Sequence, residues 1–341
     1  MSVTIDDVAR RAGVSTATVS RVFSNSGRVS PHTRERVLRA AAEMNYKPRA
    51  YRRQQDIRKT VGIVFSDRFF KSLTTTPFYG EVMAGIEQSL RENKHDVLIR
   101  ALTDQGDQDL KSIQSLHDKR QLGGLLVIGY EIKREFILQL LRVGVPIVAV
   151  DNDLWADKLD CVVNEDYLGA VEMVDYLIGL GHRRIGFICG PLSHKSLDLR
   201  YQGYKDSLAK AGIAFEDNLV RIADSFFGIP EGERMAADIL TTNQPRPTAI
   251  FAAIDLLAIG ALAAARRLGL SVPDDLSIAG YDDIEMARHV TPPLTTIRNP
   301  KWEMGYLAGK RLIELMTGTL TKPVKHTLAV ELVVRDSVSE P

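Results

Sequence analysis

Two cysteines in 341 residues exclude a disulfide framework. Cys161 and Cys189 lie in the apolar stretches DCVVN and GFICG, which read as strands, so buried inert thiols are expected. No apolar run approaches the ~20 residues that cross a bilayer. The amino end is polar and enters a helix at once, unlike a secretion signal, so a cytoplasmic protein without a membrane partner is expected. No nucleophile–base arrangement, phosphate loop, HExxH or paired-cysteine motif stands out. Ser193 and Ser196 flank His194, but neighbours in one loop are not a triad. The expected count of catalytic residues, metals and cofactors is therefore none. A hydrophobic content of 45% does allow a large core spread over two or three domains.

What the chain does have begins at its amino end. Thr4 reads as a helix N-cap, followed by Asp6 and Asp7 where carboxylates suit the positive helix end. Val8, Ala9 and Ala12 form a small apolar face, and Gly13 stops the helix. Val14 packs in the turn and Ser15 caps a second helix, in which Val19 and Val22 face inward. Thr16, Ala17, Ser20 and Arg21 are left pointing out. This is helix-turn-helix spacing, in which the second helix meets base edges in a major groove. A third helix starts at Ser30-Pro31, carries Val37, Leu38, Ala41 and Met44 at helical spacing, and closes at Asn45, with Tyr46 folding back. Residues 1–60 hold thirteen Lys+Arg and five Asp+Glu, a net of +8, so the remainder carries −7 to reach the chain's +1. A basic head on an acidic body implies a polyanionic partner for the head. A helical hairpin with a solvated charged face is the plainer alternative.

Residues 48–60 (PRAYRRQQDIRKT) are basic and short of core residues, as a linker would be. From Thr60 onward, strand-length apolar runs alternate with amphipathic helices. Strands are expected at 61–65, 96–100, 124–128 and 146–151, with helices at 78–92, 108–119 and 134–142. A second series has helices at 168–180, 199–211, 232–241 and 256–268 and strands at 184–189, 219–222, 249–252 and 277–281. A helix at 301–316 and a strand at 327–334 return to the lobes. Near-continuous apolar strands in βαβ alternation indicate parallel sheets covered on both faces. The expected fold is thus an all-α helix-turn-helix head plus an α/β body of two doubly wound lobes. Ligands bind such sheets beyond the strands' carboxyl ends, where Asp67, Asp151, His194 to Arg200, Phe226, Phe227, Asp255 and Asp282 fall.

The motifs TIDDVARRAGVSTATVSRV, RVSPHTRERVLRAAAEMNYKP, LGHRRIGFICGPL, GYDDIEMARHVTPPLTTI and LVVRDS resemble the LacI/GalR family of bacterial transcription regulators along nearly the whole chain. The resemblance implies a helix-turn-helix head at 1–47 and a hinge at 48–60. It also implies two lobes like those of periplasmic sugar-binding proteins, crossed three times by the chain. The first lobe is expected at 61–163 and 293–323, the second at 164–292 and 324–341. By the same resemblance the chain acts as a homodimer on a pseudo-palindromic, double-stranded operator. Thr16, Ala17 and Arg21 take the base-reading positions, with Ser20 beside them. Thr4 is also expected to contact DNA, and Ser15, Ser30, Thr33 and Arg34 fall at phosphates, where contacts position without reading sequence. The hinge departs from the pattern: Arg52 and Gln55 stand where the family places a small residue and an apolar wedge. Arg52 and Arg53 are therefore expected to hold DNA electrostatically, with weaker kinking.

In the cleft, the resemblance puts Arg200 and Asp282 on ligand hydroxyls and Phe227 stacked on the ligand. Phe78, Tyr79, Asp151, His194 and Ser196 are expected to line the site, together with Ile254 and Asp255, where the family's usual Asn-Asp pair is changed. Residues 68–76 form an added loop. Lys195 and His194 point toward an acidic effector, so a sugar, sugar acid or sugar phosphate is expected. For Arg200 a structural ion pair is the alternative. His182 reads as a helix-end residue, and Met173, Met235, Met286 and Met316 as core or interface. The rival functions are a small-molecule-binding protein whose head does not regulate transcription, and an enzyme using a cleft carboxylate.

Overall fold

The computed structural model describes residues 3–24, 29–44, 46, 60–67, 77–103, 105–119, 121–129, 131–154, 156, 158–224 and 228–341. It divides into two compact units, Met1–Arg58 and Lys59–Pro341.

In the first unit, α1 (Ile5–Ala12) opens with a capping box: Thr4 and Asp7 satisfy each other's backbone N–H groups. Gly13 ends it at φ +62°, a conformation that glycine adopts without a Cβ penalty. Arg36 closes the same end, its Nη2 donating to the Ala12 carbonyl at 2.9 Å. Ser15 caps α2 (Thr16–Ser24), and Ser30 caps α3 (Pro31–Glu43), each by accepting a backbone N–H three residues on. The core is Val8, Ala9, Ala12, Val19, Val22, Val37, Ala40 and Ala41, with Tyr46 laid against it. The α3 face differs from expectation in one place. Leu38 is 46% exposed and Ala40 takes the inward position, since 37, 40, 41 and 44 follow the helical period more closely. Asn45, expected to close α3, and the hinge at 48–59 lie outside the described residues.

The second unit begins with β1 (Thr60–Ser66), α4 (Phe78–Glu92), β2 (Asp96–Leu102), α5 (Asp107–Asp118), β3 (Gly124–Ile128), α6 (Arg134–Val143), β4 (Ile147–Val150) and β5 (Asp160–Asn164). It continues with α7 (Asp166–Gly179), β6 (Ile185–Cys189), α8 (Lys195–Lys210), β7 (Val220–Ile222), α9 (Ile229–Thr242), β8 (Ala249–Ala252), α10 (Asp255–Arg267), β9 (Ser277–Ala279) and α11 (Glu285–His289). The last elements are β10 (Thr296–Arg298), α12 (Lys301–Thr317), β11 (Lys325–Leu328) and β12 (Glu331–Val333). A six-stranded parallel sheet runs β11-β5-β4-β3-β1-β2 and a four-stranded parallel sheet β7-β6-β8-β9, while β10 and β12 pair antiparallel. Each large sheet is covered on both faces by apolar clusters, as a buried parallel sheet requires.

The stretch expected as one strand at 327–334 is two. β11 completes the edge of the six-stranded sheet beside β5, and β12 goes to β10. Leu328 accordingly packs with the first lobe's core and Leu332 with the second's. Leu294 and Ile297 are also buried in the second lobe, which places 294–298 there and 325–328 in the first, each the reverse of the expected assignment. Burial of these apolar side chains, which sequence order does not reveal, sets the crossings. In the first lobe α4 and α12 touch backbone to backbone at Gly85 and Gly305: a Cβ on Gly305 would lie 1.9 Å from the Val82 carbonyl oxygen. That contact seats the start of α4, with Phe78 and Tyr79, over the sheet's carboxyl edge.

Candidate DNA interface and effector cleft

On α2, Val19 is fully buried and Val22 nearly so, which fixes the helix rotation. Thr16, Ala17, Ser20 and Arg21 are consequently all exposed on one face. The other expected DNA-contacting groups are more committed. Thr4 bonds Asp7 through its hydroxyl at 2.6 Å, Ser15 pairs with the Thr18 hydroxyl at 2.9 Å, and Ser30 donates to Thr33 at 2.8 Å. Arg34 is half-buried, with Nη1 3.5 Å from the Val22 carbonyl. Arg52, Arg53 and Gln55 lie outside the described residues.

In the body, the carboxyl ends of β4, β5, β6, β8 and β9 gather most of the expected cleft residues. Asp151 follows β4 at φ +55°, in the left-handed region that Asp tolerates better than most residues. Its Oδ2 accepts from the Tyr79 hydroxyl at 2.5 Å and lies 3.6 Å from His194 Nε2, while Oδ1 accepts from Ser196 at 3.2 Å. Burial pushes the Asp151 carboxyl up, but the His194 and Tyr79 bonds outweigh it and hold the group below the usual carboxylate range. Phe78 packs edge-on to Tyr79, ring centroids 4.8 Å apart.

The second cluster surrounds Arg200, which is 3% exposed. Its Nε donates to Asp166 Oδ1 at 2.8 Å, and Nη1 donates to the Ala253 carbonyl at 2.7 Å and to Asp282 Oδ1 at 3.1 Å. The guanidinium stacks 3.7 Å above the Tyr281 ring centroid. Asn299 Nδ2 also donates to Asp282 Oδ1, at 2.9 Å, and Lys301 Nζ to the Asp282 and Asp283 carbonyls. Asp282 Oδ2 accepts no bond among the described residues, and the side chain keeps a small exposed edge. Burial lifts the Asp282 carboxyl to about 6, against the pull of Arg200 and Lys301.

Two expected residues take no side-chain part in these bonds, although the Asp255 N–H donates to the Tyr281 carbonyl at 2.7 Å. Asp255 is fully buried, and both its oxygens are taken: Oδ1 by the Thr296 hydroxyl at 2.6 Å, Oδ2 by the Ile284 N–H at 2.9 Å. It braces the loop after β9 against α10, and burial raises its carboxyl well above the usual range. Ile254 is half-buried against both second-lobe cores. Lys195 is exposed and paired with Asp198 at 2.8 Å. Phe226 and Phe227 lie outside the described residues. His182 bonds the Thr248 hydroxyl and the Ser339 carbonyl, fastening the carboxyl-terminal segment. Sequence reasoning missed Asp166, Asn164 and Asn299. The first two stand at the carboxyl end of β5, where the strand-end rule reaches them; Asn299 has only its place after β10 as a signal. A polar pocket lined by Glu81, Asp283, Arg288, Arg298, Asn299, Lys301 and Glu331 adjoins the Asp282 group through Asn299 and Lys301, and its cations are already paired within it.

Among the described residues there is no group of three or more metal-ligating side chains, and no helix long and apolar enough to cross a membrane. A helix-turn-helix unit and a two-lobed α/β body with a charged cleft define a class, the DNA-binding regulator governed by a small molecule. The comparisons agree with that class. A family model described as "Bacterial regulatory proteins, lacI family" matches residues 4–49, and one described as "Periplasmic binding protein-like domain" matches 174–338. The chain is 37% identical over 340 residues to the ribose operon repressor of Haemophilus influenzae, covering 98% of each. It is 34% identical to the repressor CytR of Escherichia coli, covering 98% of this chain and 96% of that one. Among solved structures it resembles the regulator CelR in complex with cellobiose (32% identity, 98% and 99% covered, TM-score 0.73). It also resembles the lac repressor dimer bound to operator and the anti-inducer ONPF (28% identity, 99% and 100% covered, TM-score 0.69). The chain belongs to the lacI family of bacterial regulatory proteins, DNA-binding transcription regulators with an effector-binding body.

Proposed function

We propose that this protein is a cytoplasmic repressor that binds a pseudo-palindromic operator as a homodimer and changes its grip when a sugar or uncharged sugar derivative enters the cleft. The observation that carries the reading is the exposed α2 face of Thr16, Ala17, Ser20 and Arg21 above two buried valines. Arg21 bonds two acceptors on guanine, and Thr16 and Ala17 contact nearby base edges. Thr4, Ser15, Ser30, Thr33 and Arg34 stay close to phosphates. Arg52, Arg53 and Gln55 hold the hinge to DNA.

In the cleft, Arg200 and the open Oδ2 of Asp282 take ligand hydroxyls, with Phe78, Tyr79, Asp151, His194 and Ser196 around them and Phe227 stacked. Among the described residues the cleft's cations are already paired, Arg200 with Asp166 and Asp282 and Lys301 with Glu81, so none is left for a phosphate or carboxylate and an uncharged effector is favoured. Lys195, tied to Asp198, does not change that balance. The role is read as binding rather than turnover because the relatives are transcription repressors and Asp255, one of the two cleft carboxylates that an enzyme could use, has both oxygens taken. Relatives described with ribose and cellobiose are consistent with a neutral sugar.

Fluorescence anisotropy on genomic fragments tests this. Tight sites are expected to weaken steeply with salt, and Arg21→Ala to lose about 1–3 kcal/mol of discrimination at one base pair, roughly 5- to 150-fold. Addition of the effector is expected to shift affinity by a factor in the same range. A protein with no site preference, or equal binding by Arg21→Ala at every site, overturns the reading.

A further inference from the structure

Asn164 is 3% exposed, and neither atom of its amide has a hydrogen-bond partner among the described residues. Exchanging the amide's O and N does not repair this, because both positions are empty-handed. Native structures rarely leave a buried donor and acceptor together unmet, since stripping water from an amide without replacement is costly.

Its place in the fold explains what it waits for. Val150 of β4 aligns with Val162 of β5, and the Asp151 N–H donates to the Val162 carbonyl at 3.0 Å. Asn164 extends β5 two residues beyond that point, about 6–7 Å further toward the lobe crossing. Two residues after it, Asp166 holds Arg200. Strand alternation turns Asn164 to the same face as Val162, and its partner Leu328 on β11 looks the same way. Val162 and Leu328 belong to the same apolar cluster as Phe78 and Tyr79, and Tyr79 in turn reaches Asp151. Along β5 the amide therefore stands between Val162, whose carbonyl accepts from the Asp151 N–H, and Asp166, which holds Arg200.

We infer that Asn164 is a ligand-reading residue of the cleft, and that it reads a hydroxyl. This rests on the effector-binding role proposed above. An amide presents one acceptor and a donor side by side. An ammonium can meet only the oxygen, and a phosphate or carboxylate only the nitrogen. A sugar hydroxyl, donor and acceptor at once, satisfies both. Asn164 thus reads a hydroxyl of the ligand by hydrogen bonding, where the neighbouring carboxylates act by charge. A site built to bond a hydroxyl discriminates strongly against the analogue that lacks it, because its own buried groups are then left unmet.

The test uses the full chain and isothermal titration with uncharged pentoses, hexoses and nucleosides, each with its deoxy analogues, phosphates and uronic acids. For a sugar that the wild type binds, Asn164→Leu is expected to lower affinity tenfold or more, while its ligand-free melting temperature stays level or rises. One deoxy analogue is expected to bind wild type and variant equally, which a merely structural role does not produce. Asn164→Ala gives the same comparison should the leucine fail to fold. Arg200→Ala separates the two levels of inference. A ligand lost with Arg200→Ala but held within twofold by both Asn164 variants overturns only the assignment of Asn164, whose amide then meets a buried water. A ligand unmoved by all three variants, or a panel in which nothing binds, overturns the cleft reading and the assignment with it.

Discussion

Ser196 donates its hydroxyl to Asp151 at 3.2 Å, and that bond joins the first turn of α8 in the second lobe to the end of β4 in the first. With Tyr79 and His194 on the other oxygen, one carboxylate ties together residues from both lobes. On the function proposed above, a ligand entering here is expected to exchange these bonds for its own and to change the lobe arrangement.

Asp151→Ala is expected to strand the Tyr79 and Ser196 hydroxyls in a buried site. Each unmet polar group costs about 1–3 kcal/mol, so urea unfolding of the ligand-free body is expected to show a loss of about 2 kcal/mol or more. Because the Asp151 carboxyl is held below its ordinary value of 3.8, its contribution is present above that pH. It is lost as pH falls through the lower, folded value. Unchanged stability in Asp151→Ala at pH 7 rules out the tie between lobes.

Asp282 titrates with the opposite sign. Its carboxyl rises from 3.8 to about 6, so between those values the folded chain holds a proton that the unfolded chain releases. Stability therefore falls as pH rises through this window, by up to about 3 kcal/mol, and the full penalty stands above pH 6. Asp255, also raised, adds in the same direction. Asp282→Asn is expected to flatten part of this slope in melting temperatures taken from pH 4 to 7. A hydroxyl donated to Oδ2 favours the carboxylate, so effector affinity is expected to drop below pH 6 in the wild type and not in Asp282→Asn. The same slope in both proteins contradicts the placement of the ligand on Asp282.

β2 is an edge strand, and Val97, Leu98 and Ile99 stand exposed on it in succession, at 40%, 37% and 51%. Exposed apolar edges invite pairing with another chain. Ile99→Lys is expected to weaken the proposed homodimer at least tenfold by sedimentation equilibrium, and to weaken operator binding with it. A dimer of wild-type strength in that variant places the contact elsewhere.

Much of the head was readable residue by residue, because its signals are local. Thr4, Gly13, Ser15 and Ser30 each act on backbone groups within four positions, and helical spacing alone turns Val19 and Val22 inward. Leu38 shows the limit of that reasoning, since one apolar side chain more than the core can hold goes to the surface. In the body, the βαβ order and the strand-end rule brought Asp151, His194, Ser196, Arg200 and Asp282 toward one cleft. They did not separate Asp282, with an oxygen open, from Asp255, with both oxygens taken. Both follow apolar strands and look alike in sequence.

By itself, then, the sequence determined what neighbours along the chain decide: the caps, the exposed reading face of α2, the basic head, and two parallel sheets with polar residues at their carboxyl ends. Only the tertiary structure decided which lobe β10 and β11 join, that Asp166 rather than Asp255 holds Arg200, and that Asn164 is buried with its amide unmet among the described residues. The physical reason is distance along the chain. Arg200 and Asp282 are 82 residues apart, and Tyr79 and Asp151 are 72. Such partners are chosen by how packed layers bring strand ends together, and that choice leaves no periodic mark in the residues between them.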